Sequence, residues 1–291
     1  MYIVTDSGTD VGLSSEELTA LNIEIVPLSV QLADQTYREG IDIDPGSFYQ
    51  VLENSDELPT TSQPAVGEFK ALYERLAEND AQILSIHISS GLSGTYNAAL
   101  AAAEMVPEAQ IKVVDTKTLS AGAGWQVLAA AHAARAGWSL EKIVSKMHEI
   151  GAATESIYTL KDLTYLIHGG RISHIKGLLA SVLNIKPLIG VEKENGTYYQ
   201  IGQSRSFKKA IRSLVDRVEE YHPKGSRLRV QVLHADNPSG AELLREITDE
   251  RFDCHWLPPG RISLVLGAHT GPSMVGVAFA PESTFEAIPA Q

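Results

Sequence analysis

The sequence predicts an α/β protein of two domains, and three observations carry that expectation. Short apolar runs alternate with helix-forming stretches through the first half, the pattern of a parallel sheet covered on both faces. Near residue 151 the rhythm changes to more closely set strands, with a hairpin signal at Asn195-Gly196. At 291 residues the chain is long enough for two ordinary domains, each with its own core. The expected division puts residues 1–152 in a three-layer α/β/α domain around a parallel sheet and residues 153–291 in a second α/β domain with a mixed sheet.

The elements follow in order. Residues 2–5 read as a strand that ends in the polar loop Asp6-Ser7-Gly8-Thr9-Asp10. Ser14 with Glu17 forms a capping box that opens a short helix. Residues 23–32 read as one strand, and apolar spacing makes 45–52 and 66–79 helices. Ile83, Leu84, Ile86 and Ile88 mark a buried strand; the chain then turns through Ser89-Ser90-Gly91-Leu92-Ser93-Gly94-Thr95 into an alanine-rich helix. A strand over 111–115 and helices over 119–136 and 140–150 complete the first half. Beyond it come a strand at 156–158, a helix over 161–168 stopped by Gly169-Gly170, and an apolar helix over 175–184. The hairpin 186–192/197–201, a helix over 207–221 and strands at 227–234, 253–257 and 275–279 finish the chain.

Composition narrows the function. A net charge of −12 argues against nucleic acid or an anionic membrane as a standing partner. The single cysteine, Cys254, allows no internal disulfide and reads as a buried, inert thiol. Together with a start that reads as a strand instead of an apolar signal, this makes the cytoplasm the expected compartment. No run reaches the ~18 apolar residues of a membrane span, so no membrane insertion is expected.

Ligands of parallel α/β sheets gather beyond the carboxyl ends of the strands. The loops 6–10, 89–95 and 115–120 all fall there. The middle one brings small hydroxyl residues to a helix start, which suits a phosphate or a carboxylate, although a serine-rich turn can also do no more than cap its helix. It contains no Lys or Arg and does not read GxxxxGK[ST], so it is not a P-loop. No HExxH or CxxC spacing occurs, and no metal or other cofactor is expected. His87 interrupts an apolar strand and reads as a core histidine; Asp6 and Asp115 stand where carboxylates cap the following turn.

One set of motifs runs nearly end to end: Thr5-Asp6-Ser7, Pro59-Thr60-Thr61-Ser62-Gln63-Pro64, Ser90-Gly91-Leu92-Ser93-Gly94-Thr95-Tyr96, Asp115-Thr116-Lys117, Gly169-Gly170-Arg171-Ile172-Ser173, Ile185-Lys186-Pro187 and Gly267-Ala268-His269-Thr270-Gly271-Pro272. Their order and spacing resemble the DegV family of bacterial fatty-acid-binding proteins, and its FakB-like members in particular. The resemblance implies a two-domain fold that holds one long-chain fatty acid, with its tail buried and its carboxylate at the domain junction. It also implies a partner, a separate ATP-dependent fatty acid kinase that converts the bound carboxylate to an acyl phosphate, while this chain does no chemistry itself. Thr61 and Ser93 then match the carboxylate donors, with Gly94 beside them. His269 and Arg171 match positions near the head group, and Arg205, in Gln203-Ser204-Arg205-Ser206, is expected close by. Two departures stand out. His168 replaces the family's usual Lys or Arg before Gly-Gly-Arg, and Ser273-Met274 replaces a glycine-containing pair.

The expected energetics are lopsided. Burying about fifteen methylenes at ~0.8 kcal/mol each contributes roughly 12 kcal/mol gross, whereas a charge-assisted hydrogen bond to the carboxylate adds about 1.5–3 kcal/mol. Two enzymatic readings compete with binding. A hydrolase triad can be drawn from Ser93, His269 and Asp6, but no GxSxG elbow is present. A small-molecule kinase is the second, since the family's fold is related to dihydroxyacetone kinase domains; no nucleotide loop supports it.

Overall fold

The structure, a computed structural model, describes residues 1–80, 82–175 and 185–289. The first half runs β1 (Tyr2–Asp6), α1 (Ser15–Ala20), β2 (Ile23–Val26), β3 (Ser29–Leu32), β4 (Gln35–Arg38), α2 (Pro45–Glu53), β5 (Thr60–Ser62), α3 (Val66–Ala77), β6 (Gln82–His87), α4 (Thr95–Ala103), β7 (Gln110–Asp115), α5 (Ser120–Arg135) and α6 (Leu140–Ala153). The second runs β8 (Glu155–Thr159), α7 (Thr164–His168), β9 (Lys186–Val191), β10 (Tyr198–Ser204), α8 (Phe207–Tyr221), β11 (Arg227–His234), α9 (Pro238–Asp249), β12 (Asp253–Trp256), β13 (Gly260–Arg261), α10 (Leu264–Thr270) and β14 (Val275–Pro281).

The α/β class holds. Strands β2-β1-β6-β7 form a parallel sheet in that order. Successive side chains of a strand point to opposite faces, and here both faces are apolar. Ile3, Leu84, Ile86 and Val114 pack on α5 and α6 through Val127, Ala130, Ile143 and Met147. Val4, Ile83 and Val113 pack on α3 and α4 through Phe69, Tyr73, Ala98 and Ala102. Each large side chain so buried contributes roughly 1.5–3 kcal/mol, which fixes three layers.

The second sheet is mixed, in the order β10-β9-β8-β14-β11-β12 with β13 also on β11. Only the β11–β12 and β11–β13 pairings are parallel. One face carries α8 and α9, with Leu214, Val215 and Leu244 against Val230, Val277 and Phe279. From the other face Tyr158, Ile189, Tyr198 and Leu233 join Leu28, Leu119, Trp125, Val265 and Leu266 of other elements in one buried cluster. Helix α10 lies in that cluster and packs against α2, α7, β3 and β5.

Several expectations shift. The strand expected over 23–32 is two strands in two sheets: Pro27, with no N–H to give, follows β2, and β3 belongs to a small antiparallel sheet, β4-β3-β5. Thr60–Ser62 is strand β5, not loop; the four residues between Pro59 and Pro64 are all polar and give no alternation to read. The helix expected from 161 starts at Thr164, where Asp162 Oδ1 accepts from the Thr164 N–H at 3.0 Å. Helix α10, read only as a glycine-flanked motif, and helix α9 were both missed. The helix expected over 175–184 lies outside the described residues apart from Ile175, which follows a 3₁₀ turn. No helix among the described residues is long and apolar enough to cross a membrane.

Candidate ligand-binding site

Thr61 sits on β5 opposite Val30 of β3. Its Oγ1 lies 2.9 Å from Nε2 of His269, near the end of α10. The His269 ring is 8% exposed, and its Nδ1 is buried without a partner. Burial, then the neighbouring charges of Arg171 and His168, push its pKa down from 6.5 to about 3, so the ring is neutral at physiological pH. A buried, unpaired N–H costs more than an unpaired ring lone pair. The proton therefore belongs on Nε2, which donates to Thr61 Oγ1 and leaves the threonine O–H free to donate onward. Gly169 closes against the ring on the other side; a Cβ there would collide with Nδ1.

Arg171 starts a 3₁₀ turn after Gly170, which takes a φ of 75°. Its Nε and Nη2 donate to the Leu92 carbonyl at 3.3 and 3.1 Å, and Nη1 donates to the Gly169 carbonyl at 2.7 Å. The guanidinium is thus half-buried and ties the 89–94 loop to the 169–171 turn.

Most of the serine loop's amides are already used. Ser90 N donates to Asp115 Oδ1, Gly91 N to Ser89 Oγ, and the Leu92 and Ser93 amides to the Ser89 carbonyl. The loop offers hydroxyls more than an amide nest. Ser93 Oγ is 2.8 Å from Thr95 Oγ1 and accepts from the Thr95 N–H at 3.3 Å. Gly94 precedes α4, and a Cβ there would collide with Gln63 Oε1.

Thr61, Ser93, Gly94, Arg171 and His269 line one cavity, together with Gln63 and Tyr198. A second cavity shares Leu119, Tyr198 and Leu266 with the first and continues among Ile157, Val191, Leu233 and Val277. A chamber of mixed lining therefore shares part of its wall with an almost wholly apolar one. Arg205 is the exception among the expected site residues. It is exposed in the turn between β10 and α8 and does not line either cavity, because that turn leaves the outer strand of the sheet. Gln63, Tyr198 and Leu266 were not anticipated. Gln63 had a signal, its place beside Thr61 in the Thr-Thr-Ser-Gln motif; the other two look like ordinary core.

The proposed triad does not assemble. Asp6 Oδ2 meets His87 Nδ1 at 2.9 Å, and His87 Nε2 meets Ser85 Oγ at 2.7 Å, which meets Tyr73 Oη at 2.7 Å. Asp6, Ser85, His87 and Tyr73 are fully buried. Their Asp–His–Ser geometry is a satisfied core network with no access for a substrate, as expected of His87. Asp6 also accepts from the Gly8 N–H, and Asp115 from Ser90 and Lys117, as capping carboxylates do. Cys254 is half-buried on β12 and its thiol is pushed up to about 12 by burial, so it is unreactive.

Two α/β halves, one built on a parallel sheet and one on a mixed sheet, with a hydroxyl-bearing chamber beside an apolar one, define the class of fold. The chain belongs to the DegV family: residues 1–282 match the family model described as "Uncharacterised protein, DegV family". It is 32% identical over 278 residues to Protein DegV of Bacillus subtilis, covering 95% of this chain and 98% of that one. It is 34% identical over 275 residues to a DegV domain-containing protein of Staphylococcus aureus, covering 94% and 96%. Among solved structures, the crystal structure described as DegV, a fatty acid binding protein from Bacillus subtilis, superposes with a TM-score of 0.86 at 31% identity, covering 97% and 99%. A DegV family protein from Thermus thermophilus, described by its fatty acid binding, gives 0.85 at 30% identity, covering 96% and 99%.

Proposed function

We propose that this protein binds one long-chain fatty acid, with the carboxylate at Thr61, Ser93, Gln63 and the Gly94 turn and the tail in the apolar chamber. The observation that carries the reading is that a hydroxyl-bearing cavity and an apolar one share Leu119, Tyr198 and Leu266 as common lining. An amphiphile with a single anionic end fits a hydroxyl-lined mouth backed by an apolar interior. The neutral His269 suits this role: it orients the Thr61 hydroxyl and supplies a dipole without the desolvation cost of a second buried charge. The fatty-acid-binding relatives support the same ligand class.

The division of labour is proposed on the same footing. The chain presents the carboxylate, and a separate ATP-dependent kinase forms the acyl phosphate; neither the hydrolase nor the small-molecule kinase reading has a constellation behind it, since Ser93, His269 and Asp6 have separate partners. We take residues 1–152 and 153–291 as the two domains, supported by the parallel sheet lying wholly before the division and the mixed sheet wholly after it. The cytoplasm, where such a kinase finds ATP, is the proposed compartment.

Native mass spectrometry of freshly purified protein tests the ligand. One non-covalent fatty acid of about sixteen to eighteen carbons per chain, or uptake of added palmitate or oleate, is the expected result. An apo mass with no uptake refutes the reading. A radiolabelled-ATP assay tests the rest: acyl phosphate made by this chain alone overturns the binding-protein reading.

A further inference from the structure

Helix α10 supplies Val265, Leu266 and His269 to the ligand cavity, yet what anchors its other end comes from loops distant in sequence. Asp10, in a left-handed conformation (φ 45°) after β1, accepts the Ser263 N–H on Oδ1 at 2.9 Å and the Ser120 hydroxyl on Oδ2. Glu39, just past β4, accepts the Leu264 N–H on Oε1 at 2.6 Å. The Ser263 hydroxyl caps the same turn from within, accepting from Leu266 N at 3.3 Å. Glu39 Oε2 is buried and has no hydrogen-bond partner. Both carboxyls line a separate cleft, lined also by Glu17, Arg229 and Arg261.

We propose that Asp10 and Glu39 are positioning residues for the ligand cavity, a pair of carboxyls that hold the first backbone amides of α10 and so fix where His269 and Leu266 stand. The unpaired Oε2 decides how the hold works. A buried carboxylate oxygen with no donor is expensive when ionised and far less so when protonated. Burial and the neighbouring carboxylates raise both groups, against hydrogen bonds from the Leu264 amide and the Ser7 hydroxyl at Glu39 and from Ser120 and the Ser263 amide at Asp10, which lower them. Asp6 and Asp10 face Glu39, with the Ser7 hydroxyl beside it; Asp6 faces Asp10; and Tyr49 of α2 packs near both carboxyls. Asp6 is committed to His87, and Arg229 to Glu282. The nearest cation, Arg261 of β13, is committed to Asp236 at 3.0 Å. Burial above all raises Asp10 to about 7 and Glu39 to about 8.

The sign follows by linkage. Both folded values lie above those of free carboxyls, so the docked helix binds protons that an undocked one releases. Docking is strongest in acid and weakens as pH rises from about 4 to about 8, after which both states are ionised and the dependence levels off. Acidification should therefore tighten the cavity and alkali should loosen it.

Hydrogen exchange of the α10 amides in the full chain, corrected for intrinsic rates, tests the hold without needing any ligand. Opening should rise about tenfold or more from pH 6.5 to pH 8 in the wild type, and Glu39→Gln should remove most of that rise while keeping the acceptor for Leu264 N. Asp10→Asn, which tolerates the left-handed backbone, should remove a smaller part and serves if Glu39→Gln folds poorly. The consequence for the cavity rests on the fatty-acid reading, so palmitate dissociation is followed in parallel and should track the exchange. Exchange with the same pH profile in wild type and both variants overturns the hold. If palmitate fails to bind at any pH, the fatty-acid reading falls, while the exchange data still decide on Asp10 and Glu39. Palmitate dissociation that ignores altered exchange refutes the link to the cavity.

Discussion

His87 and His269 invite comparison because their local sequences say so little about how differently they are used. Each is a buried histidine whose Nε2 meets a hydroxyl, Ser85 in one case and Thr61 in the other. His87 is satisfied at both nitrogens, between Ser85 and Asp6, and Phe69 stacks edge-on to it with ring centroids 5.1 Å apart. His269 is satisfied at one nitrogen only, beside a cavity, with its charged form suppressed. A closed hydrogen-bond chain holds a fold together. An open one lies at a cavity wall with its ring kept neutral. The Asp–His–Ser geometry falls in the first place and the proposed carboxylate site in the second, so triad-like spacing alone misleads.

The comparison breaks most visibly by truncation. His87→Ala removes a partner from both Asp6 and Ser85 and opens a hole beside Phe69. Stability should fall by about 3 kcal/mol or more in urea unfolding, with palmitate affinity per folded molecule unchanged. An affinity loss as large as the stability loss would mean that the two histidines are not separable.

Gly169→Ala asks the converse. The new methyl must push the His269 ring off Thr61. The change should weaken palmitate binding by about 2 kcal/mol and stability by about 1 kcal/mol. Calorimetry that finds unaltered affinity would place the head group away from His269.

Smaller effects are expected from the hydroxyls. Thr61→Ala should cost about 1–2 kcal/mol of binding, and Ser93→Ala about 1 kcal/mol because Thr95 shares its hydroxyl. Thr61→Ser should restore the loss. Kinase-coupled turnover should fall further than affinity in both alanine variants, since orientation of the carboxylate matters more to transfer than to retention. Near-wild-type turnover in both would remove them from the site. Arg171→Ala should lower turnover too, here by freeing the Leu92 and Gly169 carbonyls and loosening both loops.

Much of this was legible in advance, and the gaps have physical causes. The parallel sheet announced itself because its strands are buried on both faces and read as short, mainly apolar runs, as in Ile83, Leu84 and Ile86 around Ser85. The small sheet did not, because Thr60–Ser62 is polar and three residues long. Thr61, Ser93, Gly94, Arg171 and His269 came from motif order and do converge on one cavity. Arg205 shared that source without sharing the place. Tyr198 and Leu266 could not be told from core, since an apolar ligand chamber uses the same residues as a core. The roles of Asp10 and Glu39 depend on α10, a seven-residue helix interrupted by Gly267 that periodicity does not reveal.

Nitrogen NMR of the histidine rings, with and without one equivalent of palmitate, tests the central claim most directly. In the free protein His269 should be neutral, protonated on Nε2, and should stay so down to about pH 3. Palmitate should shift its ring signals and raise its pKa, because a carboxylate nearby favours the charged ring, while the His87 signals stay where they were. A His269 that titrates near 6.5 in the free protein, or one that saturating palmitate leaves unmoved, would contradict the account.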